Sequence, residues 1–261
     1  MLKTPFTALL ATLLSFSACN QTTTILEQEQ EAPQTVAATD TIVTDSTANP
    51  VSCQTTAPLF TPKDESMQDK TLQAYLQQLR QAVQQQDARL LTSLLDTSIA
   101  TGFDASGGKT SFNAQWHPER KESELWPLLN QLLELGGTFV LQGNSKNLFA
   151  LPYVYSAWPD TLDAFSFRAV VHDGAILRKE PDINAPAVCT LGRVILKTDY
   201  KRSYPQQDYV REKEWWYVES PDGGLKGYVS NTDMYSPVGF RALLNKNKQG
   251  RWRMTALVSG D

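Results

Sequence analysis

Residues 102–111 read GFDASGGKTS and end like a phosphate-binding loop, whose pattern is Gly-x-x-x-x-Gly-Lys-Ser/Thr. Glycine at the first place of that pattern lets successive backbone N–H groups point at the phosphates. Counting back from Gly108, this place holds Phe103, and Gly102 comes one residue too early. The preceding LLDTSIAT reads as a helix end running into a polar turn, not as a buried strand. We therefore interpret the run as a glycine-rich surface turn and expect no nucleotide partner.

Other reactive side chains are scattered. His117 and His172 are the two histidines, and neither stands in an HExxH or CxxC pattern, so the sequence gives weak support to a zinc site. Acidic pairs such as Glu122 with Glu124 are typical of solvated surfaces. No Gly-x-Ser-x-Gly motif occurs. We expect no catalytic residue, no metal, no cofactor and no enzymatic activity.

The first eighteen residues have the layout of a secretory signal. Lys3 is followed by an apolar stretch from Phe6 to Phe16, and then by the small residues Ser17 and Ala18. The apolar stretch is shorter than the roughly 20 residues that a membrane-spanning helix needs. These features predict a signal peptide over residues 1–18.

Cys19 directly follows the small residues, and this arrangement resembles the lipobox of bacterial lipoproteins. Phe16 stands where that family usually has leucine. The resemblance implies that the Cys19 thiol is acylated and becomes the first residue of the mature chain. It places the protein in the bacterial cell envelope, anchored in a lipid bilayer, with the outer membrane favoured over the inner. The folded part would then lie in the periplasm or at the cell surface.

The composition limits the partners. The chain has 261 residues and a formal net charge of −4, which argues against nucleic acid as a partner. With Cys19 lipidated, Cys53 and Cys189 remain in a compartment that tolerates disulfides. The sequence leaves open whether these two cysteines pair.

Two segments precede the β-rich part. Residues 19–65 are polar, rich in Thr and Gln, and predict a disordered tether. Residues 66–165 predict a mainly helical, mixed domain. Ser66 could cap a first helix and Asp87 a second, while a third spans about Leu125 to Leu135 and ends at Gly136-Gly137. The first helix has a stripe of apolar side chains at helical spacing: Leu72, Tyr75, Leu76, Leu79 and Val83.

From residue 166 the pattern changes to short strands and turns. AILR at 175–178, the Asn184-Ala185-Pro186 turn, WWYV at 215–218 and GYV at 227–229 resemble the bacterial SH3-like (SH3b) domain. That resemblance implies a small β-barrel. Alternation places Trp216 and Val218 inside, with Trp215 and Tyr217 outside. The final segment predicts an extra hairpin, which could pair with the barrel or with the helical domain. We therefore predict an α+β chain whose last domain spans residues 166–261.

SH3b domains often bind peptidoglycan peptides or partner proteins through an aromatic groove beside variable loops. Residues 199–214 form a long connection where compact members have a short one. The candidate ligand-binding rings implied by the resemblance are Trp215, Tyr217, Tyr200, Tyr204 and Tyr209.

Three functions remain as hypotheses. The first is a lipid-anchored, non-enzymatic module that binds peptidoglycan or an envelope protein. The second is a cell-wall hydrolase or amidase with its active site in residues 66–165, and the third is a structural part of an envelope assembly. The whole chain also resembles uncharacterised envelope lipoproteins of Bacteroidetes-type bacteria, a likeness that implies no particular activity.

Overall fold

The first long helix begins where Asp69 can accept two backbone hydrogen bonds. In the computed structural model, which describes residues 50–102, 107–141, 145–207 and 213–260, the Asp69 carboxylate accepts from the N–H groups of Thr71 and Leu72. The cap is therefore Asp69 and not Ser66, which lies in the 3₁₀ turn Ser66–Gln68. A carboxylate caps better here because it bonds two free N–H groups and suits the positive end of the helix dipole.

The chain is an α+β protein. Its helices are α1 (Lys70–Gln85), α2 (Ala88–Leu94), α3 (Lys109–Trp116), α4 (Leu125–Leu135) and α5 (Tyr153–Ser156). Its strands are β1 (Leu95–Ala100), β2 (Thr138–Phe139), β3 (Leu148–Leu151), β4 (Phe167–Val170), β5 (Ala175–Arg178), β6 (Ala187–Leu191), β7 (Ile195–Tyr204), β8 (Trp215–Glu219), β9 (Lys226–Ser230), β10 (Met234–Tyr235), β11 (Arg241–Lys246) and β12 (Trp252–Val258). A second 3₁₀ turn, Asn231–Asp233, joins β9 to β10.

The three helices with a clear apolar stripe form where the sequence predicts them. The predicted stripe of α1 is buried, α2 begins after Asp87, and α4 ends at Gly136, whose φ of 70° suits glycine. Helices α3 and α5 were not predicted. Both are short, and α3 has little amphipathic pattern, so its place is decided by Phe112 and Trp116 packing into the core.

The interpretation of LLDTSIAT as a helix end and turn is wrong. Residues 95–100 form β1, which lies parallel to β12 at the edge of a five-stranded sheet of order β1-β12-β11-β3-β2. Leu95 and Ile99 are buried while Thr97 and Ser98 are exposed, so the segment lacks the strict alternation that marks a strand. Its partner lies more than 150 residues away in sequence, beyond the reach of local pattern.

The C-terminal hairpin returns to the helices. Strands β11 and β12 lie in the middle of the five-stranded sheet, although the domain prediction grouped them with residues 166–261. Lys246 Nζ lies 2.8 Å from Asp69 Oδ2, and Trp252 Nε1 donates to Thr71 Oγ1 at 3.0 Å. Burial of Trp252, Met254 and Leu257 against the helices makes this placement favourable. Residues 66–165 therefore have a full sheet only when the C-terminal hairpin is counted.

The second sheet carries the segment that resembles SH3b. Its seven strands follow the order β10-β4-β7-β8-β9-β5-β6, and its core contains Trp216 and Val218, as alternation predicts. Among the described strands β10 and β6 are at opposite ends and do not pair with each other, so the predicted closed barrel is not found. Val171 and Ile195 belong to the same buried cluster as the helices, so one side of the second sheet packs into the core of the first.

The prediction of a disordered tether over residues 19–65 is wrong for residues 50–65, while residues 19–49 lie outside the described residues. Residues 50–62, here called the strap, run along the second sheet. Cys53 N–H donates to Thr190 O at 2.7 Å, and Phe60 N–H donates to Arg193 O at 2.9 Å. Cys53 and Cys189 form a disulfide, and Phe60 stacks on Tyr153 with ring centroids 5.1 Å apart. The polar composition led to a wrong prediction of disorder, because backbone hydrogen bonds and the buried ring of Phe60 hold the strap in place.

Candidate ligand-binding surface

A wide bulge in β7 shapes the surface next to β8. Asp199 pairs with Tyr217, and Tyr204 pairs with Trp215, so residues 200–203 of β7 stand opposite the single residue Trp216. Such a bulge leaves backbone groups without ladder partners and redirects side chains. The long connection at 199–214 therefore begins inside a strand and not after it.

Two side chains replace the lost ladder bonds. Ser203 is fully buried, and its hydroxyl donates to Asp199 O at 2.7 Å while accepting from the Tyr217 N–H at 2.9 Å. The Asp199 carboxylate accepts from the N–H groups of Lys201 and Arg202 at 3.0 and 3.2 Å. The bulge is thus a hydrogen-bonded structure with a defined shape, and it can hold side chains in place for a ligand.

Two of the predicted site residues stand opposite each other on neighbouring strands. Trp215 and Tyr204 are cross-strand partners, and Tyr204 is 46% exposed while Trp215 is half-buried. Directly opposite residues of an antiparallel pair point to the same face. This is the face turned away from Trp216 and Val218, which lie in the core, so the predicted orientation of Trp215 is confirmed.

Tyr217 lies on the same outer face but is not an accessible binding ring. Only 5% of the residue is exposed. The Arg202 guanidinium lies 3.4 Å from its ring centroid, and the ring of Tyr228 packs edge-on at 5.2 Å. The prediction of an exposed Tyr217 is wrong because an arginine from the bulge covers it, a contact that strand alternation does not reveal.

Tyr200 is the fourth predicted ring. It is 37% exposed within the bulge, and its ring centroid is 6.4 Å from that of the core residue Trp216. The ammonium of Lys213, a buried lysine, lies 4.0 Å from the Tyr200 ring and donates to Pro205 O. Tyr209, the fifth predicted ring, lies outside the described residues.

A cavity of about 290 Å³ opens beside the bulge. Its lining combines cations, carboxylates, a hydroxyl and one ring: Lys197, Thr198, Asp199, Tyr200, Lys201 and Glu219. Glu219 Oε1 lies 3.3 Å from Arg202 Nη1 and 3.8 Å from Lys226 Nζ. Tyr200 was the one lining residue predicted by itself, although Asp199 and Lys201 lie in the long connection at 199–214, which the sequence left open as a binding loop or a tolerated insertion. The sequence DYKRS at 199–203 contains a signal for the bulge, because an aspartate followed by polar residues is typical of a side-chain-capped turn.

The described residues offer little support for other kinds of site. Within them no group of three or more His, Cys, Asp or Glu side chains could hold a metal ion. His117 pairs with Glu119, and His172 with Asp233, each at 3.2 Å on the surface. Over the same ranges, no helix has both the length and the apolar character to span a bilayer.

Lys109, from the run that resembles a phosphate-binding loop, is otherwise engaged. Its Nζ donates to Thr92 O at 2.6 Å, which fixes the side chain against the end of α2. A lysine that binds phosphate needs its ammonium free to reach the ligand. Residues 103–106 of this run lie outside the described chain.

Comparison with known proteins adds no information about the function of this surface. No family profile, no curated protein and no solved structure matches this chain. The site must therefore be interpreted from its own geometry.

Proposed function

We propose that this protein is a lipid-anchored, non-enzymatic binding module of the bacterial cell envelope, which recognises a peptidoglycan peptide or an envelope protein. Its ligand-contacting surface is the outer face of β7 and β8. The observation that carries the proposal is the cross-strand pair Tyr204 and Trp215, held beside a bulge that Ser203 and Asp199 fix by hydrogen bonds. Exposed rings on a fixed backbone supply contact area at low entropic cost.

The resemblance to SH3b domains supports this surface as the binding face. Between residues 167 and 235 the chain makes antiparallel hairpins from β5 to β6, from β7 to β8 and from β8 to β9, and then a 3₁₀ turn before its last short strand. The turn between β8 and β9 contains Asp222, which accepts from the Gly224 N–H at 3.0 Å. In this proposal the bulge corresponds to the variable loop beside which members of that family bind their ligands.

Lipid anchoring is the part of the proposal that rests on Cys19, which lies outside the described residues. Expression of the full chain in a bacterial host, followed by fractionation, tests it. The wild type is expected in the membrane fraction with an acylated Cys19 by mass spectrometry. Cys19→Ser is expected in the soluble fraction, and an unmodified Cys19 in the wild type would refute the anchor.

Binding can be tested on residues 47–261, which form one compact unit. This fragment is incubated with purified peptidoglycan and sedimented. We expect co-sedimentation that Trp215→Ala and Tyr204→Ala each reduce about tenfold, because ring truncation at the centre of an interface typically costs more than 1 kcal/mol. Met67→Ala, at an exposed position of the first 3₁₀ turn, is the matched control and should bind as wild type does.

The same experiment separates the hypotheses. Binding that both ring variants leave unchanged would refute the surface proposed here. Release of soluble wall fragments by a small amount of protein would indicate a hydrolase instead. If the fragment does not sediment with the wall but crosslinks to an envelope protein through Trp215, the protein partner is the correct ligand.

A further inference from the structure

The carboxylates that line the cavity beside the bulge are already engaged. The Asp199 carboxylate accepts two backbone hydrogen bonds, from Lys201 and Arg202. The Glu219 carboxylate is contacted by Arg202 and Lys226. Both acids therefore act as internal supports of the surface, and neither needs an external cation.

Two cations of the same cavity are not engaged in this way. Lys197 and Lys201 are exposed, and neither has an ion-pair partner among the described residues. Lys197 stands opposite Glu219 across the strands, but Arg202 and Lys226 contact that carboxylate. Among the residues that the structure describes, the cavity and its rim thus hold Lys197, Lys201, Arg202 and Lys226 against two carboxylates. This local excess of positive charge lies on a chain whose formal net charge is −4.

The remaining lining shows what else a ligand would contact. Tyr200 offers a partly exposed ring and Thr198 a hydroxyl, next to the ammonium groups of Lys197 and Lys201. A volume of about 290 Å³ is at the lower end of the range for ligand pockets, so it suits one or two residues of a peptide. Ammonium groups bind carboxylates as point charges, and a concave surface strengthens the local field.

We propose that this cavity binds carboxylate groups of an acidic peptide, with Lys197 and Lys201 as the charge partners. This inference rests on the proposed binding function and specifies the charge of its ligand. The rings of Tyr204 and Trp215 then contact the adjoining part of the same ligand. The acidic peptide is favoured over a membrane surface because the two lysines line a cavity and do not stand on a flat face.

The test uses the full-length protein in a neutral detergent and a tripeptide probe, Glu-Glu-Ala, with free carboxylates. Its amidated analogue, Gln-Gln-Ala amide, has the same shape and no negative charge. Dissociation constants are measured by ligand-observed NMR. We expect the acidic probe to bind at least about tenfold more tightly than the amidated one, and raising the salt from 50 to 500 mM to weaken it several-fold.

The matched variants test whether binding needs the two positive charges. Lys197→Gln with Lys201→Gln should weaken the acidic probe about tenfold, and Lys197→Arg with Lys201→Arg should restore most of the affinity. Lys179→Gln with Lys248→Gln removes two exposed lysines elsewhere and should leave binding within twofold of wild type. Unchanged melting temperatures in all variants show that folding is not the cause.

Several outcomes would overturn the inference. These are equal binding of both probes, no effect of Lys197→Gln with Lys201→Gln, or binding to phosphatidylglycerol vesicles without binding to the acidic probe. Peptidoglycan sedimentation of the same variants distinguishes this failure from failure of the proposed function. If the lysine variants bind the wall as well as wild type does, the proposed function stands and the inference is refuted. If the acidic probe binds through the two lysines but the protein does not bind the wall, the inference stands. The ligand is then an acidic envelope protein.

Discussion

The Arg202 guanidinium lies 3.4 Å from the centroid of the Tyr217 ring, and Arg202 Nη1 also lies 3.3 Å from Glu219 Oε1. A cation from the bulge therefore covers an aromatic side chain of the neighbouring strand. Strand alternation places the Tyr217 ring on the surface, but this contact buries it. The contact also connects the bulge to β8.

Replacing Arg202 tests how much this cover contributes. Arg202→Ala should lower the free energy of unfolding by about 0.5–1 kcal/mol, since half-exposed cation–π contacts have that size. It should also make Tyr217 more accessible, which nitration by tetranitromethane followed by mass spectrometry of the peptide that contains Tyr217 can detect. Arg251→Ala, at an exposed position in the turn before β12, is the control and should change neither quantity. A variant as stable as wild type would show that the contact is energetically neutral.

The hydroxyl of Ser203 is expected to matter more than its size suggests. Ser203→Ala leaves Asp199 O and the Tyr217 N–H without a partner in a buried place. An unsatisfied buried polar group costs about 1–3 kcal/mol, so we expect a loss of that order in urea unfolding. Ser259→Ala, at an exposed position, should have no measurable effect. If Ser203→Ala matches the control, the bulge has another means of satisfying these groups.

Asp69 links the helices to the C-terminal hairpin in a pH-dependent way. Burial raises the pKa of its carboxyl, but the hydrogen bonds from Lys246, from the Thr71 hydroxyl and from two backbone N–H groups outweigh this and hold the pKa well below its usual value. A depressed pKa in the folded state adds stability above the unfolded pKa of about 4, and this stability is lost as the pH falls below it.

Asp69→Asn keeps the cap but removes the ion pair with Lys246. The variant should be less stable than wild type at pH 7, and the difference should shrink as the pH falls from about 5 to 2. Thermal unfolding over that range measures it. Asp87→Asn caps α2 equally well and should be nearly neutral at pH 7, because asparagine and aspartate are similar caps. A difference for Asp69→Asn that does not vary with pH would contradict the linkage.

The disulfide should contribute a large part of the stability. Cys53 and Cys189 are 136 residues apart in sequence, so their bond removes much of the chain entropy of the unfolded state. Loops of this length correspond to about 4–5 kcal/mol in the loop-entropy estimate. The double variant Cys53→Ser, Cys189→Ser should lose about 3–5 kcal/mol in urea unfolding and expose the strap to proteases.

Val51→Ser, at an exposed position of the strap, is the matched control for the disulfide prediction, since it changes the strap without touching the bond. It should leave urea unfolding unchanged under oxidising conditions. Equal stability of the double variant and this control would mean that the strap is held by Phe60 and the backbone hydrogen bonds alone.

Several features could be predicted because their causes are local. The stripe of α1, the cap at Asp87 and the glycines after Leu135 act within one or two helical turns. The inward direction of Trp216 and Val218 follows from the pleat of a single strand. The wide bulge could not be predicted from the sequence, because the bulge depends on how four residues of β7 fit against one residue of β8.

The sequence by itself determined the α+β class, the main helices and the inner face of the second sheet, because hydrophobic period and capping act over a few neighbouring residues. Tertiary structure decided the rest. It placed the C-terminal hairpin between β1 and β3, laid the strap along the second sheet, and covered Tyr217 with Arg202. Each of these depends on contacts between residues far apart in the chain, where burial and pairing with a specific partner outweigh local preference.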